Sequence, residues 1–305
     1  MNIVFNADNN YAPYLATTIL SIIKTNTSPI NFYILDLGIS ELSKDTIKKI
    51  VHLSRNTIEF IKIKKDELSD LPQTITYIPS VTYARLKIVD YLPLDVEKVI
   101  YLDTDILVNA SLQPLWETDL KDNWIGACFD PFIEYDKENY KFKIGLASNH
   151  YYVNAGVLLI NLTKWRSTNI WEKSINFFKN FPYAQYQDQD IINFLFKGEI
   201  VYLDNRYNFS VNHKNKIKAK KKDSTIHIHP VEKTTMPIAI FHYVGPTKPW
   251  HARCKMSNVV KFQQLFSEIK TPPPEWQEKF ELQTIRQKIR CILKDIKEKY
   301  YYKIY

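Results

Sequence analysis

Glycine is scarce in this 305-residue chain: Gly38, Gly126, Gly145, Gly156, Gly198 and Gly245 are the six. None falls in G-x-G-x-x-G or G-x-x-x-x-G-K-[ST], the loops that cradle phosphates with backbone N–H groups. A Rossmann dehydrogenase or a P-loop kinase is thereby disfavoured. Cysteine is scarcer still. Cys128, Cys254 and Cys291 form neither C-x-x-C nor an even set, which points to a reducing compartment. No apolar run approaches the ~18 residues of a membrane span. The start Met1-Asn-Ile-Val-Phe5 shows no basic and apolar leader, so a cytoplasmic location is expected. In that setting the Asn-x-Ser/Thr matches at Asn26, Asn109, Asn161 and Asn208 carry no meaning as glycosylation sites.

What the chain does have is an ordinary apolar content of 45%, 14% aromatics with 20 Tyr, and a formal net charge of +8. The first two suit one large globular domain or two small ones. The charge suggests anionic partners such as phosphorylated substrates, anionic lipid or nucleic acid. It is unevenly spread: six lysines lie between His213 and Lys222, and residues 284–305 carry seven Lys/Arg against two Asp/Glu. No nucleic-acid fold motif accompanies it, which argues against nucleic acid as a partner.

Hydrophobic patterning alternates strand and helix through the first half. Ile3–Phe5, Asn31–Asp36, Ile58–Ile63 and Lys98–Leu102 read as strands. Pro13–Lys24, Ser43–Leu53 and Thr82–Tyr91 read as helices, the last bearing Arg85. This order predicts an α/β fold with a mostly parallel sheet. Beyond residue 105 the pattern becomes mixed, with strands at Trp124–Phe129, Tyr152–Ile160 and Ile238–Tyr243. Helices are expected at Ile170–Phe178, Gln189–Phe196 and Asn258–Ile269. Thr271-Pro-Pro-Pro-Glu-Trp276 reads as an extended spacer. The expected division is therefore a catalytic domain over 1–270 and a tail over 271–305. Within that tail Ile285, Ile289, Ile292 and Ile296 form one apolar helical stripe among Arg286, Arg290, Lys294 and Lys297. Such a helix suits an anionic membrane surface, or equally the flank of its own domain.

The chemistry concentrates at Val99-Ile-Tyr-Leu-Asp-Thr-Asp105. Residues i and i+2 of an extended chain share a face, so Asp103 and Asp105 can reach one hard cation, Mg²⁺ or Mn²⁺. Open α/β sheets bind ligands at the carboxyl ends of strands, where this pair lies. The other reading is a turn cap or surface charge. Asp8 and Tyr11 follow the first strand and could meet a ribose or base. Arg85, Asn154, Asp188, Gln189, His242 and Lys248 could surround a sugar diphosphate, with His242 a third ligand and Lys248 a point charge on phosphate. Singly, each has an ordinary structural alternative: helix-face ion pair, strand kink, helix N-terminus, core histidine or solvated loop.

Six segments, in order, resemble glycosyltransferase family 8: Phe5-Asn-Ala-Asp-Asn-Asn-Tyr11, Thr82-Tyr-Ala-Arg-Leu-Lys87, Tyr101-Leu-Asp-Thr-Asp105, Tyr152-Val-Asn-Ala-Gly-Val-Leu-Leu-Ile-Asn161, Tyr186-Gln-Asp-Gln-Asp190 and His242-Tyr-Val-Gly-Pro-Thr-Lys-Pro-Trp250. The likeness runs to about Trp276. It implies a GT-A fold with a mixed sheet, a UDP-hexose donor, Mn²⁺ (or Mg²⁺) and retention at the anomeric carbon. By the same resemblance, Asp103, Asp105 and His242 would hold the metal, with Thr104 between the carboxylates at the donor. Asp8, Asn10 and Tyr11 would hold uridine, and Gly245 and Lys248 the diphosphate. Arg85, Asn154, Ala155, Asp188 and Gln189 would surround the donor sugar. Gln189, Asp188 and Asp130 would be the catalytic candidates, with Asp190 a weaker one. The implied reaction is galactose transfer from UDP-galactose to a lipooligosaccharide acceptor (terminal lactose, α-1,4 linkage) at the inner face of the bacterial inner membrane. UDP-glucose as donor is the near alternative, and a non-catalytic UDP-sugar-binding membrane protein the distant one. Departures from the family pattern fall on the acceptor side: the Lys-rich segment within 210–235, Tyr77 in place of His, and Val244 in place of Cys.

Overall fold

The computed structural model describes residues 1–303 apart from Leu53, residues 75–79, Glu138 and Pro230. Tyr77, expected beside the acceptor, therefore lies outside the described residues. Apolar runs make the strands, the central ones buried on both faces and the edge ones only partly. These are β1 (Asn2–Ala7), β2 (Asn31–Asp36), β3 (Thr57–Lys62) and β4 (Lys98–Leu102), then β5 (Ile106–Val108) and β6 (Ile125–Phe129). β7 (Val153–Asn161), β8 (Ile200–Tyr202) and β9 (Ile240–His242) complete the set. Seven form one sheet in the order β3-β2-β1-β4-β7-β6-β8. β1 to β4 are mutually parallel; β7 runs antiparallel to both β4 and β6, so the sheet is mixed rather than mostly parallel. Two apolar layers fill its faces, one around Phe5, Phe32 and Trp276, the other around Tyr101, Trp165 and Phe177. Each fully buried large side chain of this kind contributes about 2–3 kcal/mol.

The remaining two strands, β5 and β9, form a separate antiparallel ribbon in which Ile106 faces His242. This ribbon carries the far end of the chain to the carboxyl end of β4.

Two segments differ from expectation, and a third, the Lys-rich one, has no element assigned from sequence. Arg85 lies on a 3₁₀ turn, Ser80–Lys87, and only Ile88–Tyr91 beyond it is α-helical. The Lys-rich segment is a helix, Val211–Lys222, begun by a capping box between Ser210 and His213. Thr271–Trp276 is not an extended spacer throughout: Pro274 opens a short helix, Pro274–Glu278, because proline is tolerated in a first turn. Trp276 on that turn is fully buried and its Nε1 donates to Ser43 Oγ at 3.0 Å. Phe280 stacks on Phe266 with ring centres 3.7 Å apart. Among the described residues no helix is long and apolar enough to cross a membrane.

Candidate active site

β4 ends at Leu102, and the chain then turns so that Asp103 and Asp105 leave the sheet together. The Asp103 N–H donates to the carbonyl of Gly156 on β7 at 2.9 Å, and the Thr104 carbonyl accepts from Thr18 Oγ1 at 2.8 Å. The ribbon brings His242 opposite. Its Nε2 lies 3.3 Å from Asp105 Oδ1 and 3.8 Å from Asp103 Oδ2. One ligand atom from each of the three sits within 4.8 Å of the others. The Nδ1 of His242 is 2.7 Å from Asn208 Oδ1, which directs the ring proton there and leaves the Nε2 lone pair for a cation. The donor set, two carboxylates and an imidazole with a fixed second partner, fits a divalent metal. Space for it depends on Gly156: a Cβ there would meet His242 Cε1 at 2.2 Å and Asp103 Oδ2 at 2.8 Å.

Lys248 reaches into this cluster from the loop after β9, donating to Asp105 Oδ2 and, at 2.9 Å, to the Tyr243 carbonyl. Burial works to raise the Asp105 carboxyl, but Lys248 and His242 outweigh it and hold it below the usual carboxylate range. Gly245, at φ +94°, supplies the left-handed turn of that loop.

On the opposite flank Arg85 is buried and bridges two acids. Its Nη2 donates to Asp103 Oδ1 at 2.9 Å, its Nε lies 3.0 Å from Asp188 Oδ2, and its Nη1 donates to the Ala155 carbonyl at 2.6 Å. The guanidinium also lies 4.3 Å from the centre of the Tyr101 ring. Asp188 and Gln189 begin the helix Gln187–Leu195, entered through Gln187 at φ +46°, a conformation costing a non-glycine residue about 1 kcal/mol. Burial raises the Asp188 carboxyl despite Arg85. Gln189 is held at both ends: Oε1 accepts from the Ala155 N–H at 3.0 Å, and Nε2 donates to Asp130 Oδ2 at 3.2 Å. Asn154 Nδ2 donates to the same oxygen at 3.1 Å. Burial raises the Asp130 carboxyl against these hydrogen bonds.

Asp8, at the end of β1, accepts from the N–H groups of Asn10 and Tyr11 at 2.9 and 3.1 Å, an Asx turn. The Tyr11 phenol is raised by burial and then by the charges of Asp105, Asp8 and Asp103, which puts this loop beside the acidic pair. The structure thus gathers Asp103, Asp105, His242, Lys248, Arg85, Asp188, Gln189, Asp130, Asn154 and Ala155 around one region, with Tyr11 at its edge. Asp190 is set apart. It is fully buried, with the Tyr140 and Tyr152 hydroxyls each donating at 2.5 Å and the Tyr186 N–H at 2.8 Å, so it braces the helix start. Two participants are given no role by the sequence reading. Asn208 lies 34 residues from the histidine it orients. Tyr101, which donates to Asp103 Oδ1 at 3.2 Å, reads in sequence as core.

A family model, Glycosyl transferase family 8, matches residues 2–254, and the chain belongs to that family. Its fold is GT-A. The chain is 42% identical to the galactosyltransferase LgtC, solved in complex with donor and acceptor sugar analogs, with a TM-score of 0.84 over 92% of this chain and 100% of that one. A Haemophilus influenzae protein provisionally named a glycosyltransferase is 40% identical over 98% of this chain and 88% of its own length. The lipopolysaccharide 1,3-galactosyltransferase of Salmonella typhimurium is 29% identical over 82% of this chain and 73% of its own.

Proposed function

We propose that the chain is a retaining, Mn²⁺-dependent galactosyltransferase that moves galactose from UDP-galactose onto a lipooligosaccharide acceptor, joining it α-1,4 to a terminal lactose. The observation that carries the reading is the convergence of the Asp103–Asp105–His242 trio with Lys248, Asp188 and Gln189. The likeness to LgtC at 42% identity supports galactose, and the name of the Salmonella relative supports a lipopolysaccharide acceptor.

Asp103, Asp105 and His242 would hold the cation, and the imidazole favours Mn²⁺ over Mg²⁺. Bound there, a divalent cation neutralises the charge that grows on departing UDP. Lys248 adds a second positive charge on the same side. Arg85 fixes Asp103 and Asp188 relative to each other. Gln189 has both ends of its carboxamide engaged, and an amide is a poor nucleophile, so front-side substitution fits these residues best. The anomeric carbon–phosphate oxygen bond breaks as the acceptor oxygen bonds the same face, and the acceptor hydroxyl proton passes to the leaving phosphate.

UDP release tests this, measured from UDP-galactose and from UDP-glucose, with Mn²⁺ or EDTA, and with or without lactose. Mn²⁺-dependent release from UDP-galactose stimulated by lactose is expected. Preference for UDP-glucose would overturn the donor assignment while leaving the metal reading in place.

We further propose attachment to the inner face of the bacterial inner membrane through the helix Ile285–Tyr300. This helix rests on the domain through Cys291 and Glu298, both buried. Ile285, Ile289, Ile292, Leu293 and Ile296 are all exposed and lie on the opposite side. An exposed apolar stripe flanked by Arg286, Arg290 and Lys297 suits an anionic bilayer. Truncation after Gln283 should abolish sedimentation with phosphatidylglycerol vesicles; unchanged sedimentation would defeat the idea.

A further inference from the structure

The segment Pro274–Gln283 lies beyond the family-matched residues, yet it touches both loops that would grip the donor. On the base side, Lys279 Nζ donates to the Asn9 carbonyl and to Asn10 Oδ1, each at 3.1 Å. The Tyr14 hydroxyl donates to the Lys279 carbonyl at 2.9 Å, fixing the backbone from which that side chain springs. Trp276 donates to Ser43 Oγ, which in turn donates to Asn9 Oδ1 at 2.9 Å. On the phosphate side, the Glu281 N–H donates to the Trp250 carbonyl at 2.8 Å, and Gln283 Nε2 donates to the Cys254 carbonyl at 2.6 Å.

An ammonium group has donors and no acceptor. Asn10 must therefore turn its oxygen to Lys279, which points its Nδ2 to Asp8 Oδ2, 3.5 Å away, and leaves one Nδ2 proton for another partner. Beside it, the Asp8 carboxylate offers only acceptors. An acceptor next to a donor matches the N3–H and O4 edge of uracil. With Asp8 opposite N3 and Asn10 opposite position 4, the same pair mismatches cytosine, which presents an acceptor at N3 and a donor at N4. We propose that Lys279 is a positioning residue for base recognition: it sets the polarity of the Asn10 amide so that the Asp8–Asn10 pair selects a uracil nucleotide. This rests on the UDP-sugar reading above.

The test compares Lys279→Met, which keeps the aliphatic stem, and Lys279→Arg, which keeps a donor-only cation, with the full-length wild type. Inhibition by UDP and by CDP is measured alongside KM and kcat. For Lys279→Met the KM for UDP-galactose should rise roughly five- to twentyfold at near-unchanged kcat. The preference for UDP over CDP should shrink by a similar factor, and Lys279→Arg should restore most of both. An unchanged UDP/CDP ratio in Lys279→Met overturns the proposal, as does equal loss of kcat and KM with a lowered Tm, the mark of a purely structural strut. Wild type that binds neither UDP nor CDP would instead overturn the UDP-sugar reading itself, and the positioning role with it.

Discussion

Asn208 and His242 form a buried pair, Oδ1 to Nδ1 at 2.7 Å, that decides which imidazole nitrogen faces Asp103 and Asp105. Asn208 Nδ2 is itself committed, donating to Asn154 Oδ1 at 2.8 Å, so the carboxamide cannot flip freely. Removing such an outer partner usually weakens metal affinity roughly 10- to 100-fold. Asn208→Ala should do so in a Mn²⁺ titration while all three ligands remain. Asp103→Asn and Asp105→Asn should go further and remove Mn²⁺-dependent turnover with the fold intact by circular dichroism.

Gly156→Ala places a methyl group where the His242 ring now sits. Backbone and ring must separate by about an ångström, a displacement that costs on the order of a hundredfold in rate. Near-wild-type turnover and Mn²⁺ affinity in this variant would show that the ring need not lie where it does.

Gln189→Ala should slow transfer roughly ten- to a hundredfold without abolishing it. The substitution frees the Ala155 N–H and removes one of the two donors to Asp130 Oδ2, which keeps Asn154. Complete loss with normal UDP binding would count against front-side substitution.

Stability should depend on pH through Glu232. Burial raises its carboxyl to about 7, outweighing the Tyr135 hydroxyl that donates to it. A carboxyl raised in the folded state stabilises fully below its unfolded value, about 4.5, and loses that contribution as pH climbs through about 7. Glu232→Gln should therefore gain about 3 kcal/mol relative to wild type as pH rises between those limits. Parallel denaturation curves across that window would contradict the assignment.

Strands β2 and β4 have the bounds that their apolar runs predict, since a continuous buried run bounded by polar residues has few alternatives. The acidic pair was legible for the same reason: it follows the strand that aims it. Arg85 was legible as a cation but not as a bridge, because Asp103 and Asp188 come from distant elements. The turn at Pro274–Glu278 was hidden by three successive prolines, which resemble a spacer until Trp276 finds its buried slot. Asn208 was hidden because nothing local separates a loop asparagine from one that orients an imidazole.

The two-stranded ribbon has a consequence for how the enzyme comes into being. It joins Asp105 to a partner, Lys248, 143 residues later in the chain. A nascent or half-folded chain has the acidic pair but neither the imidazole nor the ammonium that completes it. The Asp103–Asp105–His242 cluster thus exists only once β5 and β9 have paired.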